Sequence, residues 1–138
     1  MKVLALFFPS FEDLEGVGTV ALLRRAKFSV DICSVENKTQ VTGHYQITLL
    51  TDIMLDKVKE SEYDVLLIPG GKVDNLFKVK EVHDLIRYFV LNNKVLACIC
   101  AAPSIPGRLG LLKNKKFTCY PGFEKLCEGG IYQDTQVV

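Results

Sequence analysis

The residue best placed for chemistry is Cys100, in the segment V-L-A-C-I-C-A-A-P of residues 95–103. The apolar run 94–99 has the length and composition of a strand, whereas Ala101 and Pro103 favour a turn or helix. At such a junction, the unsatisfied N–H groups of the next helix favour a thiolate, and the tight turn exposes the sulfur. The alternative is an inert cysteine that serves as a small apolar residue at the end of a strand.

Two other predicted strands also end in reactive groups. The strand 3–8 leads to an acidic segment, 12–15, and the strand 64–68 stops at the turn Pro-Gly-Gly, 69–71. Ligand sites of parallel α/β sheets lie beyond the carboxyl ends of the strands. If the strands are neighbours, a thiol, a carboxyl group and glycine N–H groups meet there, a combination suited to covalent attack on a carbonyl. An acid such as Glu15 can instead stabilise the dipole of its own helix.

Hydrophobic periodicity predicts the elements that hold these groups. Strands are expected at 3–8, 28–35, 64–68, 94–99 and 117–120, a hairpin at 39–50 and a last β pair within 131–138; helices are expected from Ser10 as N-cap, at 81–92 and from Pro103 to Gly110. Alternating strands and helices indicate a three-layer α/β sandwich with a mostly parallel sheet. The glycines of Gly16-x-Gly18 fall inside the first helix, so they are interpreted as close-packing positions and not as a dinucleotide site.

Composition limits the classes of function. With 138 residues, 49% of them hydrophobic, the chain is predicted to form a single domain, 1–138. A net charge of +1 argues against nucleic acid or an anionic membrane as a partner. Five cysteines without a C-x-x-C pair argue against a disulfide framework or a zinc site. No segment is long enough for a membrane span or a signal peptide, so the cytoplasm is the expected location.

Four segments, taken in order, resemble the ThiJ/PfpI family: F-F-P-S-F-E-D-L-E-G, Y-D-V-L-L-I-P-G-G, A-C-I-C-A-A-P and F-T-C-Y-P-G-F-E. This family includes the parkinsonism-associated protein deglycase and lies within the class I glutamine amidotransferase-like superfamily. The resemblance covers essentially the whole chain. It implies a flavodoxin-like sandwich with a nucleophile elbow, a homodimer, and no metal or organic cofactor.

The resemblance also implies roles for individual residues. Cys100 would be the nucleophile, and Glu15 would be a protonated carboxyl group bonded to the thiolate. The N–H groups of Gly71 and Ala101 would form the oxyanion hole. Gly70, Tyr120 and Cys119 are expected to support the pocket, and Cys119 is a candidate for resolving an oxidised Cys100.

Two departures from the family pattern limit the activity that is implied. Ala101 replaces the histidine of the protease-like branch, and Tyr120 replaces another histidine, which leaves Glu15 as the main group for proton transfer. The family pattern also continues beyond Val138 with a further strand and helix.

The leading prediction is a cysteine-dependent hydrolase or lyase for small dicarbonyls or glycated protein or nucleotide adducts, of the glyoxalase or deglycase type. The alternative is a non-enzymatic redox sensor or chaperone that uses the same cysteine. A role in thiazole monophosphate (thiamin) biosynthesis or as an amidase is a weaker possibility, because no phosphate-binding or specificity element is visible.

Overall fold

Five parallel strands form the central sheet of the computed structural model, which describes residues 1–138. The strands of the chain are β1 (Lys2–Phe7), β2 (Ser29–Ser34), β3 (Gln40–Thr42), β4 (Thr48–Leu50), β5 (Ile53–Met54), β6 (Val65–Ile68), β7 (Val95–Cys98), β8 (Lys116–Phe117) and β9 (Ile131–Tyr132). The central sheet has the order β5-β2-β1-β6-β7, while β3 pairs with β4, and β8 with β9, in two small sheets. The predicted mostly parallel, flavodoxin-like α/β fold is confirmed.

The middle of the sheet explains the uninterrupted apolar runs in the sequence. β1 lies between β2 and β6, and every residue from Leu4 to Phe7 is fully buried. The four residues of β6 are buried as well. A strand that is covered on both faces needs apolar side chains at successive positions, so neither strand shows alternation. These two strands place the segments that follow them next to each other at one end of the sheet.

Helices connect the parallel strands on both sides. They are α1 (Thr19–Arg25), which follows a π-helical turn at Leu14–Gly18, α2 (Lys80–Leu91) and α3 (Ser104–Arg108); single 3₁₀ turns lie at Leu55–Lys57, Glu60–Glu62, Val73–Leu76 and Glu124–Leu126. The crossovers from β1 to β2 and from β6 to β7 run in opposite directions along the sheet. Since such crossovers are right-handed, α1 and α2 cover opposite faces, which gives the three predicted layers.

The start of the first helix differs from the prediction. Ser10 is not an N-cap: it has a φ of 62°, and its N–H donates to the Thr42 carbonyl at 3.0 Å. The side chain that caps the helical segment is that of Glu12, which accepts the Glu15 N–H at 2.7 Å. The residue type of Ser10, with Asp13 three residues later as a weak capping box, favours an N-cap, but the chain makes a left-handed turn at position 10 as it leaves the sheet.

The hairpin of β3 and β4 is confirmed, and a buried acid attaches it to the segment that follows β1. Asp13, only 2% exposed, accepts the N–H groups of Tyr45 at 2.8 Å and Ile47 at 3.2 Å. These two bonds satisfy a carboxylate that would otherwise be costly to bury.

Some details of the prediction are wrong. The expected final β pair within 131–138 is reduced to β9, which lies parallel to β8. A β-carbon at Gly16 would come within 2.8 Å of the Phe7 ring, as its close-packing interpretation requires, whereas one at Gly18 would meet no atom of the chain within 4 Å. Close packing inside the chain therefore explains Gly16 and not Gly18.

Three further features bear on function. β7 is an edge strand, since it pairs with β6 on one side only. All five cysteines are free. None of the helices has the length and apolar character needed to cross a membrane.

Candidate active site

Glu15 enters the site from the helical turn after β1. Its Oε2 accepts the Gly70 N–H at 2.8 Å, which ties this turn to the end of β6. The backbone makes a second connection, because the Glu12 N–H donates to the Gly70 carbonyl at 2.9 Å. Glu15 is therefore held at a fixed position although 55 residues separate it from Gly70.

The Pro-Gly-Gly turn allows the site to be compact. A β-carbon at Gly70 would overlap Glu15 Oε2 and would stand 3.1 Å from the Cys100 sulfur, so both side chains lie directly over this residue. Gly71 has a φ of +107° and forms an isolated antiparallel bridge with Phe11. A side chain at Gly71 would also collide with the backbone of Phe11 and Glu12. Each glycine is thus required by its surroundings, one for space and one for conformation.

Cys100 lies at a sharp turn directly after β7. The Ile99 N–H still donates to the Ile68 carbonyl at 3.0 Å, but Cys100 itself has a φ of +58°. A cysteine in the left-handed region is uncommon, and such local strain clusters at functional sites. The turn directs the half-buried thiol toward Gly70 and Glu15, so the geometry is that of a nucleophile elbow.

Two backbone donors of this site have no carbonyl or carboxylate acceptor. The N–H groups of Gly71 and Ala101 are absent from the hydrogen bonds of the chain's backbone and side-chain oxygens. The Ala101 N–H instead faces the Cys100 sulfur and lowers the pKa of the thiol. Backbone donors beside a thiol are available to an oxygen atom that becomes negative during a reaction.

Burial dominates the acid–base properties of the pair. It raises the pKa of Glu15 from its ordinary value, against the opposing effect of the hydrogen bonds from Gly70 and Cys100. Burial, followed by the charge of Glu15, also raises the pKa of the Cys100 thiol to about 11. The expectation that the next helix favours a thiolate is therefore not met, because α3 begins only at Ser104 and the Ala101 N–H is the one group of this turn that lowers the pKa. Each group therefore affects the pKa of the other.

The outer part of the site is a cavity of about 510 Å³ beside the sulfur. Cys100, Cys119 and the exposed ring of Tyr120 line it, and the Tyr120 N–H donates to the Cys100 carbonyl at 2.8 Å. Cys98 also lines this cavity. The capping role of Glu12 was not predicted from the sequence; its signal is the three-residue spacing from Glu15, which is typical of a helix cap.

No group of three or more His, Cys, Asp or Glu side chains in the structure is arranged to hold a metal ion. The chemically active groups that the structure brings together are thus one thiol, one carboxyl group and two backbone amides.

The model of the DJ-1/PfpI family matches residues 1–138. Deglycase PH1704 from Pyrococcus horikoshii is 33% identical over 141 residues, which cover all of this chain and 84% of that protein. Protein DJ-1 homolog B from Arabidopsis thaliana is 34% identical over 129 residues, but this match spans 91% of the chain and only 30% of the plant protein.

A solved structure shows the same fold. An alanine mutant of the DJ-1 superfamily protein STM1931 from Salmonella typhimurium superposes with a TM-score of 0.93 at 27% identity. The superposition covers 99% of this chain and 76% of that structure.

Proposed function

The chain belongs to the DJ-1/PfpI family, and from this premise we propose that it is a cysteine-dependent hydrolase or lyase for small dicarbonyls and glycated adducts. The observation that carries the proposal is the position of Cys100 and Glu15 over one glycine, next to two backbone donors without an oxygen acceptor. A nucleophile, a proton acceptor and an oxyanion hole are the parts that addition to a carbonyl needs.

The first step is addition of sulfur to the carbonyl. As the sulfur of Cys100 attacks the aldehyde carbon of a compound such as methylglyoxal, its proton passes to Glu15. A carbon–sulfur bond forms, and the electron pair of the carbonyl π bond moves to oxygen. The N–H groups of Gly71 and Ala101 stabilise this oxygen until it takes the proton from Glu15, which gives a hemithioacetal and leaves Glu15 ionised again.

The second step converts the adduct to an acid. The ionised Glu15 removes the hydrogen of the former aldehyde carbon as a proton, which gives an enediolate, and it returns this proton to the adjacent carbon. The hydroxyl proton on the former aldehyde carbon moves to the neighbouring oxygen, which leaves a hydroxy thioester on Cys100. Water then cleaves the thioester and releases the hydroxy acid and the free thiol. The overall change adds one water to the dicarbonyl, so it needs neither an oxidant nor a reductant. A raised carboxyl pKa suits Glu15 to exchange protons near neutral pH.

The substrate proposal rests on the similarity to named deglycases, which PH1704 represents. The cavity beside Cys100 is large enough for a small dicarbonyl or for the end of a modified side chain. The exposed Tyr120 ring forms part of its wall and can pack against the substrate.

We also propose that the chain works as a homodimer. Leu14, next to Glu15 in sequence, is 82% exposed, and the neighbouring hairpin turn exposes Tyr45 and Ile47. Asp13 holds that turn against the segment that carries Leu14. A dimer built on these side chains would remove apolar surface from water. Light scattering should give twice the chain mass, and Leu14→Glu should give monomers.

Two cysteine variants test the function: one removes the proposed nucleophile, and the other removes a neighbouring thiol. Methylglyoxal consumption should fall to the buffer rate in Cys100→Ser, because a hydroxyl group in this site is far less nucleophilic than the thiol. Cys119→Ser serves as the control, since Cys119 lines the same cavity but takes no part in the proposed steps. Equal turnover by wild type and Cys100→Ser would refute the proposal.

A redox role is the second candidate, and it is supported by the same pair. Cys100 is the half-buried thiol with a carboxyl partner, whereas Cys33 and Cys127 are buried. Peroxide would oxidise the sulfur first to a sulfenic acid, with release of water, and then to a sulfinic acid that Glu15 can bind. After mild peroxide treatment, mass spectrometry should find oxidation first at Cys100; equal oxidation of the three partly buried thiols, those of Cys98, Cys100 and Cys119, would exclude this role.

A further inference from the structure

The charges at the candidate site are negative: one carboxyl group lies in the site, a second lies beside it, and there is no cation. Glu15 is in the site, and the Glu12 carboxylate lies next to it, where it accepts the Glu15 N–H. The turn after β6 contributes only glycine backbone, the turn after β7 contributes the Ala101 N–H, and the neutral Tyr120 lines the cavity from the segment after β8. The site therefore contains no group that would neutralise an anionic ligand.

The basic residues near the site do not neutralise these acids. Lys72 follows Gly71 directly, but it is exposed and forms no ion pair with Glu12 or Glu15. The guanidinium group of Arg108 lies over the Phe77 ring, at 4.4 Å from its centre. The carboxylates therefore act on the site without a counter-ion from this chain.

Glu12 is held firmly enough for its charge to have a fixed direction. Its Oε2 accepts the Glu15 N–H at 2.7 Å, and its own N–H donates to the Gly70 carbonyl at 2.9 Å. One residue is thus bonded to both of the segments that carry Glu15 and Gly70. Its field reaches the reacting groups, because the Glu12 charge contributes to the raised pKa of both Glu15 and Cys100.

We propose that Glu12 makes this site selective for uncharged and cationic carbonyl compounds over anionic ones. This inference extends the proposed function from carbonyl compounds in general to a charge class. A dicarbonyl joined to a lysine or arginine side chain, or a neutral dicarbonyl, would enter without repulsion. A carboxylate or phosphate on the substrate would be repelled by the fixed negative charge of Glu12 in a partly buried site, and also by Glu15 whenever that carboxyl group is ionised. Glu12 acts here as a specificity-determining residue and not as a proton carrier.

The selectivity can be measured without any enzymatic activity. Iodoacetamide and iodoacetate alkylate the same thiolate and have nearly the same size, but only iodoacetate is anionic. The ratio of their rates at Cys100, followed by peptide mass spectrometry, is independent of the fraction of thiolate, because both reagents need it equally. A change in the pKa of Cys100 therefore cancels, and the ratio reports the charge around the sulfur.

We expect the ratio of the iodoacetamide rate to the iodoacetate rate at Cys100 to exceed that of free N-acetylcysteine by about three- to tenfold at low ionic strength. Glu12→Gln should lower it by about two- to fivefold, since glutamine keeps an oxygen that can accept the Glu15 N–H but lacks the charge. Glu81→Gln, a change of an exposed acid on α2, is the matched control and should leave the ratio unchanged. A ratio equal to that of N-acetylcysteine, or one that is the same in Glu12→Gln, would overturn the inference.

A second measurement covers the case in which Glu12→Gln does not fold. In the wild-type protein, the ratio should fall toward the N-acetylcysteine value as salt is raised, because added ions screen the carboxylates. A ratio that does not respond to salt would contradict the inference.

The enzymatic test compares methylglyoxal with 4,5-dioxopentanoate, which has the same ketoaldehyde group and also carries a carboxylate. The wild type should favour methylglyoxal in kcat/KM, and Glu12→Gln should reduce this preference. If Cys100-dependent turnover is absent altogether, the proposed function fails, while the alkylation ratio still decides whether the site discriminates by charge. The two failures can therefore be told apart.

Discussion

Replacing Gly70 by alanine should abolish most activity while the fold is kept. The new β-carbon would overlap Glu15 Oε2 and would lie 2.7 Å from the Cys100 β-carbon and 3.1 Å from its sulfur. These contacts are too short to persist, so the carboxyl group and the thiol must move apart. Extra atoms in a packed site cost about 1–3 kcal/mol of stability. A displacement of about 1 Å between reacting groups can lower the rate about 100-fold.

Gly18→Ala is the matched control for this substitution. Gly18 follows Glu15 in the same helical segment, has a φ of −61°, and offers open space where a β-carbon would stand. Alanine there should preserve kcat/KM and stabilise the chain by up to about 1 kcal/mol, because it restricts the unfolded state.

The assay is methylglyoxal turnover together with thermal unfolding of each variant. The predicted result is a loss of about 100-fold in kcat/KM for Gly70→Ala and wild-type kcat/KM for Gly18→Ala. The reasoning is refuted if folded Gly70→Ala turns over methylglyoxal as fast as the wild type, because the reaction would then not depend on the contact of Glu15 and Cys100 over Gly70.

Three further predictions concern two acids and one buried thiol. The pKa of Glu15 is raised above the ordinary 4.5, so its carboxylate becomes protonated at a higher pH than usual and can no longer act as a base. The value of kcat/KM should therefore decline on the acid side. Glu15→Gln should remove this decline together with most of the activity. Burial raises the pKa of Cys33 to about 12 from 9.0, so the neutral thiol stabilises the folded state below pH 9, and this stabilisation disappears toward pH 12. Denaturant unfolding should show that the free energy of unfolding falls by up to about 1.4 kcal/mol per pH unit over this range. The fall should be smaller in Cys33→Ala. Asp13→Ala leaves the N–H groups of Tyr45 and Ile47 without their acceptor and should cost about 2–4 kcal/mol in the free energy of unfolding, with faster amide exchange at both residues.

The sequence predicts the central sheet well because its signal is local. Continuous apolar runs mark β1 and β6, and the apolar positions at helical spacing mark α2, whose buried side chains include Val82, Ile86 and Phe89. The resemblance to a known family places Cys100 and Glu15 together, and the structure brings them over the same glycine.

The features that the sequence misses depend on distant contacts. Ser10 has the residue type of an N-cap, but its backbone is committed to the Thr42 carbonyl, and this bond is not visible in local spacing. The pKa of Cys100 follows from burial and from the charge of Glu15, which outweigh the nearby Ala101 N–H. The direction of this pKa shift could not be predicted from the position of Cys100 in a turn alone.

The central claim is that the sulfur of Cys100 itself attacks the carbonyl, and mass spectrometry of rapidly quenched reactions tests it most directly. With methylglyoxal, the Cys100 peptide should transiently gain the mass of one methylglyoxal molecule, and the adduct should disappear as product forms. In Glu15→Gln the adduct should form more slowly, because the first step loses its proton acceptor, and it should persist, because the second step fails. Turnover without any adduct at Cys100, or with adducts at Cys119 alone, would contradict the account.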